Sequence, residues 1–182
     1  MLLADAGLAF EAVPAEIDER AIQQKSGDAA PGEFAGLLAR EKALWVSRRK
    51  AGQYVIGADQ TLALGDRLFN KPAGRPAAAE QIRALSGQTH TLHSAIAVAN
   101  DGEVIFETVA IARMTMRKLG GKDIRTYLDE AGEAVTASVG AYQLEGFGVH
   151  LFEHIEGDHF TILGLPLLPL LGFLRSQHLL SL

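Results

Sequence analysis

The feature that most constrains this chain is the turn Asn100-Asp101-Gly102-Glu103, set between the β-type runs Thr91–Ala99 and Val104–Met116. An Asp-Gly pair favours a tight two-residue turn, so this segment is expected to be a β-hairpin. Helical patterns lie on both sides of it. Phe34, Leu37, Leu38, Leu44 and Trp45 recur at helical spacing, giving a helix over about Gly32–Arg49 that ends at Gly52. Pro76 opens a helix with Ala78, Ile82 and Leu85 facing inward and its end at Ser86-Gly87. Ile124, Tyr127, Leu128 and Ala131 share one face of a helix over about Lys122–Ala131.

The shorter elements are read the same way. Leu2, Leu3 and Leu8 mark the end of an amphipathic helix with Gly7 as its cap. Phe10-Glu11-Ala12-Val13-Pro14 alternates like a short strand, followed by an acidic loop, Glu16–Glu19. Tyr54-Val55-Ile56 is a compact strand that stops at Gly57-Ala58-Asp59-Gln60-Thr61; Leu62–Leu64 follows, then a turn at Gly65-Asp66. Val149–Phe152 and Phe160–Leu163 read as two further strands around Glu156-Gly157-Asp158, and a last helix runs over about Pro166–Leu174. Elements in this order predict an α/β domain with a mixed β-sheet rather than a doubly wound one.

Composition narrows the function. At 182 residues the chain is about one domain, residues 1–182. It has no cysteine, which excludes disulfides, thiolate metal sites and cysteine nucleophiles. A net charge of -5 and no basic block beyond Arg48-Arg49-Lys50 argue against a nucleic-acid partner. The longest apolar stretch, Phe160–Leu174, holds Pro166 and Pro169 and falls short of the ~20 residues of a membrane span. With no secretory signal visible, the expected location is the cytoplasm. Walker, dinucleotide-binding, His-Glu-x-x-His and nucleophilic-serine patterns are all missing.

The remaining candidates are carboxylates and lysines. Asp59, placed in a loop just past a buried strand, sits where α/β sheets collect catalytic groups, although aspartate also caps turns. Lys71 rides a rigid loop, Asn70-Lys71-Pro72, where a plain surface charge is the alternative. Lys42 falls mid-helix and equally suits a polar face. Asp18 is an exposed acid by default, and Glu145 lies in a glycine-spaced loop that lets a ligand approach backbone. Acids hold a hard divalent cation and lysines neutralise phosphates, so the set suggests a metal-assisted phosphoanhydride hydrolase.

Taken together and in order, several segments resemble the Maf family of nucleoside triphosphate pyrophosphatases. They are Glu16–Glu19, Leu38–Ala43, Val55–Gln60, Asn70–Pro72, Leu85–His90, Tyr142–Gly148 and Gly164–Leu167. The resemblance implies a two-lobed α/β fold of the Maf/Ham1-like kind, with an elongated mixed β-sheet flanked by helices and a nucleotide cleft between the lobes. It implies hydrolysis of a nucleoside triphosphate to monophosphate and pyrophosphate with a divalent metal cation (Mg2+ or Mn2+), usually as a homodimer. By position it implies Asp59 as proton acceptor, Asp59 and Asp18 at the metal, and Lys42 and Lys71 on phosphate. Gln60 and Glu145 replace the threonine and glutamine of the dTTP/UTP-type members and resemble the 7-methyl-GTP pyrophosphatase branch. A carboxylate accepts from a guanine N–H edge and complements an N7-methylated ring. The family opens with a Ser-x-Ser-x-x-Arg phosphate loop, so relative to it the chain is expected to be N-terminally truncated. Two other readings stand beside this one: a nucleotide-binding regulator of septum formation with little or no turnover, and an enzyme that is a broad-specificity or pyrimidine pyrophosphatase.

Overall fold

The computed structural model describes residues 2–180. Met1 lies outside the described residues. The expected helix end is α1, Leu2–Asp5, closed by Gly7 N–H on the carbonyl of Ala4 and Leu8 N–H on that of Leu3. Phe10–Pro14 does not form the expected strand. Alternation alone cannot make one without a partner ladder, and Pro14 has no N–H to give it. The acidic loop turns helical one residue before its expected end. Helix α2, Glu19–Ser26, begins where the Asp18 carboxylate accepts the N–H of Ala21 at 2.9 Å. Helix α3, Pro31–Ser47, starts on Pro31, with the Glu33 carboxylate accepting the Ala30 N–H at 3.2 Å.

The strand expected to stop at Ile56 runs on. Strand β1 spans Val55–Leu64, and Gly57 to Thr61 are part of it. Glycine is here a point of close approach, not a breaker. A Cβ on Gly57 would lie 2.2 Å from the Ala39 carbonyl oxygen and 2.6 Å from the Ala43 nitrogen, so α3 crosses the strand where only hydrogen fits. Strand β2, Arg67–Phe69, returns antiparallel from the expected turn and pairs with Leu62–Leu64. Helix α4, Arg75–Leu85, buries Ala78, Ile82 and Leu85 as expected.

Strands β3, Thr89–Asn100, and β4, Glu103–Met116, form the expected hairpin, with Asp101 and Gly102 at φ 48° and 82°. Helix α5, Gly121–Ala131, buries Ile124, Tyr127 and Leu128. The two late strands are corrected. Residues Phe147–Leu151 form 3₁₀ turns, and strand β5 is Phe152–Glu156. Phe160–Leu163 is not a strand: helix α6 is His159–Ile162, followed by α7, Leu167–Ser176. A four-residue apolar run fits either period, and here the connection into α7 decides.

The sheet order is β2-β1-β3-β4-β5. Antiparallel pairing replaces the expected mixed sense. The β1–β2 and β4–β5 ladders are antiparallel. The Gln60–Ser94 and Thr91–Ala63 hydrogen bonds run β1 against β3, and Thr89–Thr115 runs β3 against β4. Tight turns at 65–66 and 101–102 dictate that sense for the β1–β2 and β3–β4 pairs.

The chain divides into two compact units. Unit one holds Met1–Gln60, His93–Ala110 and His159–Leu182; unit two holds Thr61–Leu92 and Ile111–Asp158. In unit one, β3 is buried on both faces. Ala95, Ala97 and Ala99 meet Ala35, Ala39 and Ala43 of α3, while Ile96 and Val98 meet Leu170 and Leu174 of α7. Full burial of each such large apolar side chain contributes ~1.5–3 kcal/mol. The alanine face contributes less area but brings backbone close to backbone. In unit two, Ala78, Ile82 and Leu85 of α4, Ile124, Tyr127 and Leu128 of α5, and His90 and Tyr142 are buried.

Candidate active site

In unit one the strand period places the site. Gly57 and Asp59 project to the α3 side of β1, and Ile56 and Ala58 to the side where Leu170 and Leu174 pack. Helix α3 brings Lys42 to Asp59 because Lys42 follows Ala39 and precedes Ala43, the two residues seated on Gly57. The Lys42 Nζ donates to Asp59 Oδ1 at 2.6 Å and lies 2.8 Å from Glu19 Oε1. Side-chain exposure is 13% for Asp59, 24% for Lys42 and 54% for Glu19, so the ammonium–carboxylate pair is mostly withdrawn from water while its outer acid is open. Burial alone pulls the Lys42 pKa down. The hydrogen bonds to Asp59 and Glu19 outweigh that and hold it above the ordinary 10.5. Lys42 is therefore a fixed cation at neutral pH.

Asp59 thus stands inside a strand rather than in a loop after one, which fixes its position better than a loop would. Its neighbour Gln60 turns to the opposite face. The Gln60 amide nitrogen lies 2.8 Å from Ser94 Oγ and 3.1 Å from the carbonyls of Thr161 and Ile162, and Ser94 Oγ donates to the Thr161 carbonyl at 2.6 Å. Its N–H groups are turned to these internal acceptors. Asp18 is engaged as the cap of α2, and the adjacent Glu19 is the acid that reaches Lys42. Sequence reasoning passed over that role for Glu19; its place one residue beyond a capping aspartate, in the first turn of a helix, was the available signal. Unit one also contains a cavity of about 590 Å³, lined by Leu3, Phe10, Val13, Lys42, Ile56 and Leu174 among others.

Unit two carries the other two candidates. Lys71 is exposed just after β2, and Glu145 is exposed in the turn that precedes the 3₁₀ segment at Phe147. The base of the Glu145 loop is firmly held. Tyr127 Oη donates to the Ala141 carbonyl at 2.9 Å, and His90 Nε2 lies 2.7 Å from Tyr142 Oη. Burial pushes the His90 pKa down to about 4, so this imidazole is neutral at pH 7. Gln81 Nε2 donates to the Asn70 carbonyl at 2.7 Å, and Gln81 Oε1 accepts the Gly140 N–H at 3.1 Å. Neither His90 nor Gln81 stood out in the sequence as a site residue.

Two carboxylates around one ammonium leave a net negative charge beside a cation that can meet a phosphate. Among the described residues, no three or more acidic or histidine side chains gather as a ready metal cage. Asp59 and Glu19, joined through the Lys42 ammonium, are the carboxylates that could offer oxygen ligands to a hard divalent cation, while Asp18 is engaged at the start of α2. Among the described residues no helix is long and apolar enough to cross a membrane.

Comparison with known proteins gives the same direction. The family described as Maf-like protein matches residues 1–177. A nucleoside triphosphate pyrophosphatase of Bradyrhizobium diazoefficiens is 64% identical over 181 residues, 100% of this chain and 90% of the relative. One of Nitrobacter hamburgensis is 65% identical, with the same coverage. A 7-methyl-GTP pyrophosphatase of Rhizobium etli is 56% identical over 97% of this chain and 89% of the relative.

Proposed function

The chain belongs to the Maf-like protein family, and from that membership we propose that it is a hydrolase that splits a nucleoside triphosphate into the monophosphate and pyrophosphate. The observation that carries the site assignment is Asp59, held in the middle of β1 by an ammonium that is itself tied to Glu19. In the reaction a water oxygen bonds to the α-phosphorus, the bond from that phosphorus to the bridging oxygen breaks, and pyrophosphate leaves with the electron pair. Asp59 Oδ accepts the proton the water gives up. Lys42, cationic throughout, orients that carboxylate and offsets the negative charge of the phosphates. Lys71, carried over from the family resemblance, is a phosphate-binding cation. A divalent cation held by Asp59 with Glu19 or Asp18 supplies Lewis-acid polarisation when bound.

Residues 1–182 are read as one Maf-like domain. The cytoplasmic location and the homodimer rest on the family resemblance. For the base, the relative named 7-methyl-GTP pyrophosphatase and the exposed carboxylate of Glu145 support a preference for 7-methyl-GTP. Gln60 supports it less, because its N–H groups are turned inward.

The test is pyrophosphate release over a panel of 7-methyl-GTP, GTP, UTP, CTP and dTTP, with magnesium or manganese. Wild type is expected to turn over at least one of them, and Asp59→Asn to fall by ~100-fold or more, the scale of a lost general base. Near-normal turnover in the variant removes Asp59 from the mechanism. No release from any nucleotide returns the regulator reading.

A further inference from the structure

Lys71 and Glu145 lie far apart in sequence, on two exposed loops of unit two. One side chain touches the backbone of both loops. Gln81, on α4, gives its amide N–H to the carbonyl of Asn70, the residue before Lys71, at 2.7 Å. Its amide oxygen takes the N–H of Gly140, at the start of the stretch that carries Glu145, at 3.1 Å. A primary amide offers a donor and an acceptor side by side on one planar group, and asparagine is a methylene shorter. Gln81 sits beside Ile82, a fully buried member of the α4 face, so its backbone is anchored.

Each loop is stiffened on its far side from Gln81. Pro72 fixes the backbone immediately after Lys71. Tyr127 and His90 fix Ala141 and Tyr142 immediately after Gly140, and Ser138 Oγ donates to the Tyr142 carbonyl at 2.5 Å. The Gln81 amide is thus hydrogen-bonded to the backbone of both loops.

We propose that Gln81 is a positioning residue that couples the Lys71 loop to the Glu145 loop and so sets the spacing between the phosphate-contacting and base-contacting side chains. This rests on the reading that both side chains contact the nucleotide. Substrate and transition state use those contacts alike, so the coupling acts on binding more than on the chemical step.

Two variants test it in the full chain. Gln81→Met keeps the length and removes both hydrogen bonds. Gln81→Glu keeps the acceptor for Gly140 and sets a carboxylate oxygen against the Asn70 carbonyl. Calorimetry with α,β-methylene GTP is expected to give a Kd about tenfold weaker in Gln81→Met, with kcat on the panel nucleotide that wild type turns over fastest within about twofold. In a Lys71→Ala background the same substitution is expected to change Kd less than about twofold, because its effect passes through Lys71. A side chain with only a structural role would lower the melting temperature in both backgrounds and leave Kd alone; that result, or an equal Kd change in both, overturns the proposal.

Hydrogen exchange gives a readout that does not need turnover. Gln81→Met must speed amide exchange in both segments, 70–74 and 138–146, while Gln81→Glu must speed it in 70–74 alone. Speeding of only one segment in Gln81→Met overturns the coupling. Absence of turnover in wild type sinks the hydrolase reading and leaves exchange to decide the coupling.

Discussion

Gly57→Ala adds one methyl group where α3 and β1 meet backbone to backbone. The new Cβ would lie 2.2 Å from the Ala39 carbonyl oxygen, 2.6 Å from the Ala43 nitrogen and 2.9 Å from the Ala43 Cβ. None of these is the far end of a flexible side chain, so relief requires about 1 Å of added separation between helix and strand. Behind that contact Ala35, Ala39 and Ala43 face Ala95, Ala97 and Ala99, and the longer side chains against this face, Leu44 and Val104, are only partly buried, so a gap that opens there is filled poorly. Overpacking of this kind costs ~1–3 kcal/mol, and two opposed backbones place it at the upper end, about 3 kcal/mol. For a chain of this size that lowers the melting temperature by about 6–12 °C. The same displacement carries Lys42 away from Asp59, and a shift of about 1 Å costs ~100-fold in turnover. Gly36→Ala is the control on the same helix. Its Cβ would meet Val109 Cγ2 at an ordinary 3.6 Å, so it should be stabilising by ~0.5–1 kcal/mol through the helical backbone. Thermal melting and pyrophosphate release on the three proteins decide. A Gly57→Ala protein that melts with wild type and keeps its turnover would refute the close-approach argument.

Acid should loosen unit two. His90 is 1% exposed with a pKa near 4, so the unfolded chain binds its proton first as pH falls, and stability drops between about pH 6.5 and 4 by ~3 kcal/mol before levelling off. Melting curves over that range should flatten in His90→Gln; parallel curves would exclude His90 as the cause. Glu145→Gln should shift the kcat/KM ratio of 7-methyl-GTP to dTTP by about tenfold toward dTTP, and an unchanged ranking over the nucleotide panel would show that Glu145 does not read the base. Gln60→Thr should cost ~1–3 kcal/mol in a denaturant melt, since Ser94, Thr161 and Ile162 lose their donor, with base ranking moved less than by Glu145→Gln.

Much of this fold was legible in the sequence where a local signal had one meaning. The Asp101-Gly102 pair dictates its turn, and the faces of α4 and α5 follow from spacing alone. Misreadings fell where a signal had two. Glycine breaks strands and also admits a neighbour, and Gly57 does the second only because Ala39 and Ala43, distant in sequence, lie against it. Phe160–Leu163 fits a strand or a helical turn until the Gln60 amide is seen feeding its carbonyls. In the site, Asp59 and Lys42 were legible as residue types, but their 2.6 Å contact depends on a helix crossing a strand. Glu19 was legible only as a first-turn acid, and Gln81 not at all, because the ion pair of the one and the two hydrogen bonds of the other are tertiary contacts that leave no period in the sequence.

The path of the chain between the two units has a consequence for inheritance. It changes unit after Gln60, after Leu92, after Ala110 and after Asp158, and three of those changes fall inside the strands β1, β3 and β4. No single cut in the gene releases either unit whole, and every cut at a crossing within a strand also severs a ladder. Exchange of either unit as a module would therefore need four junctions, three of them inside strands.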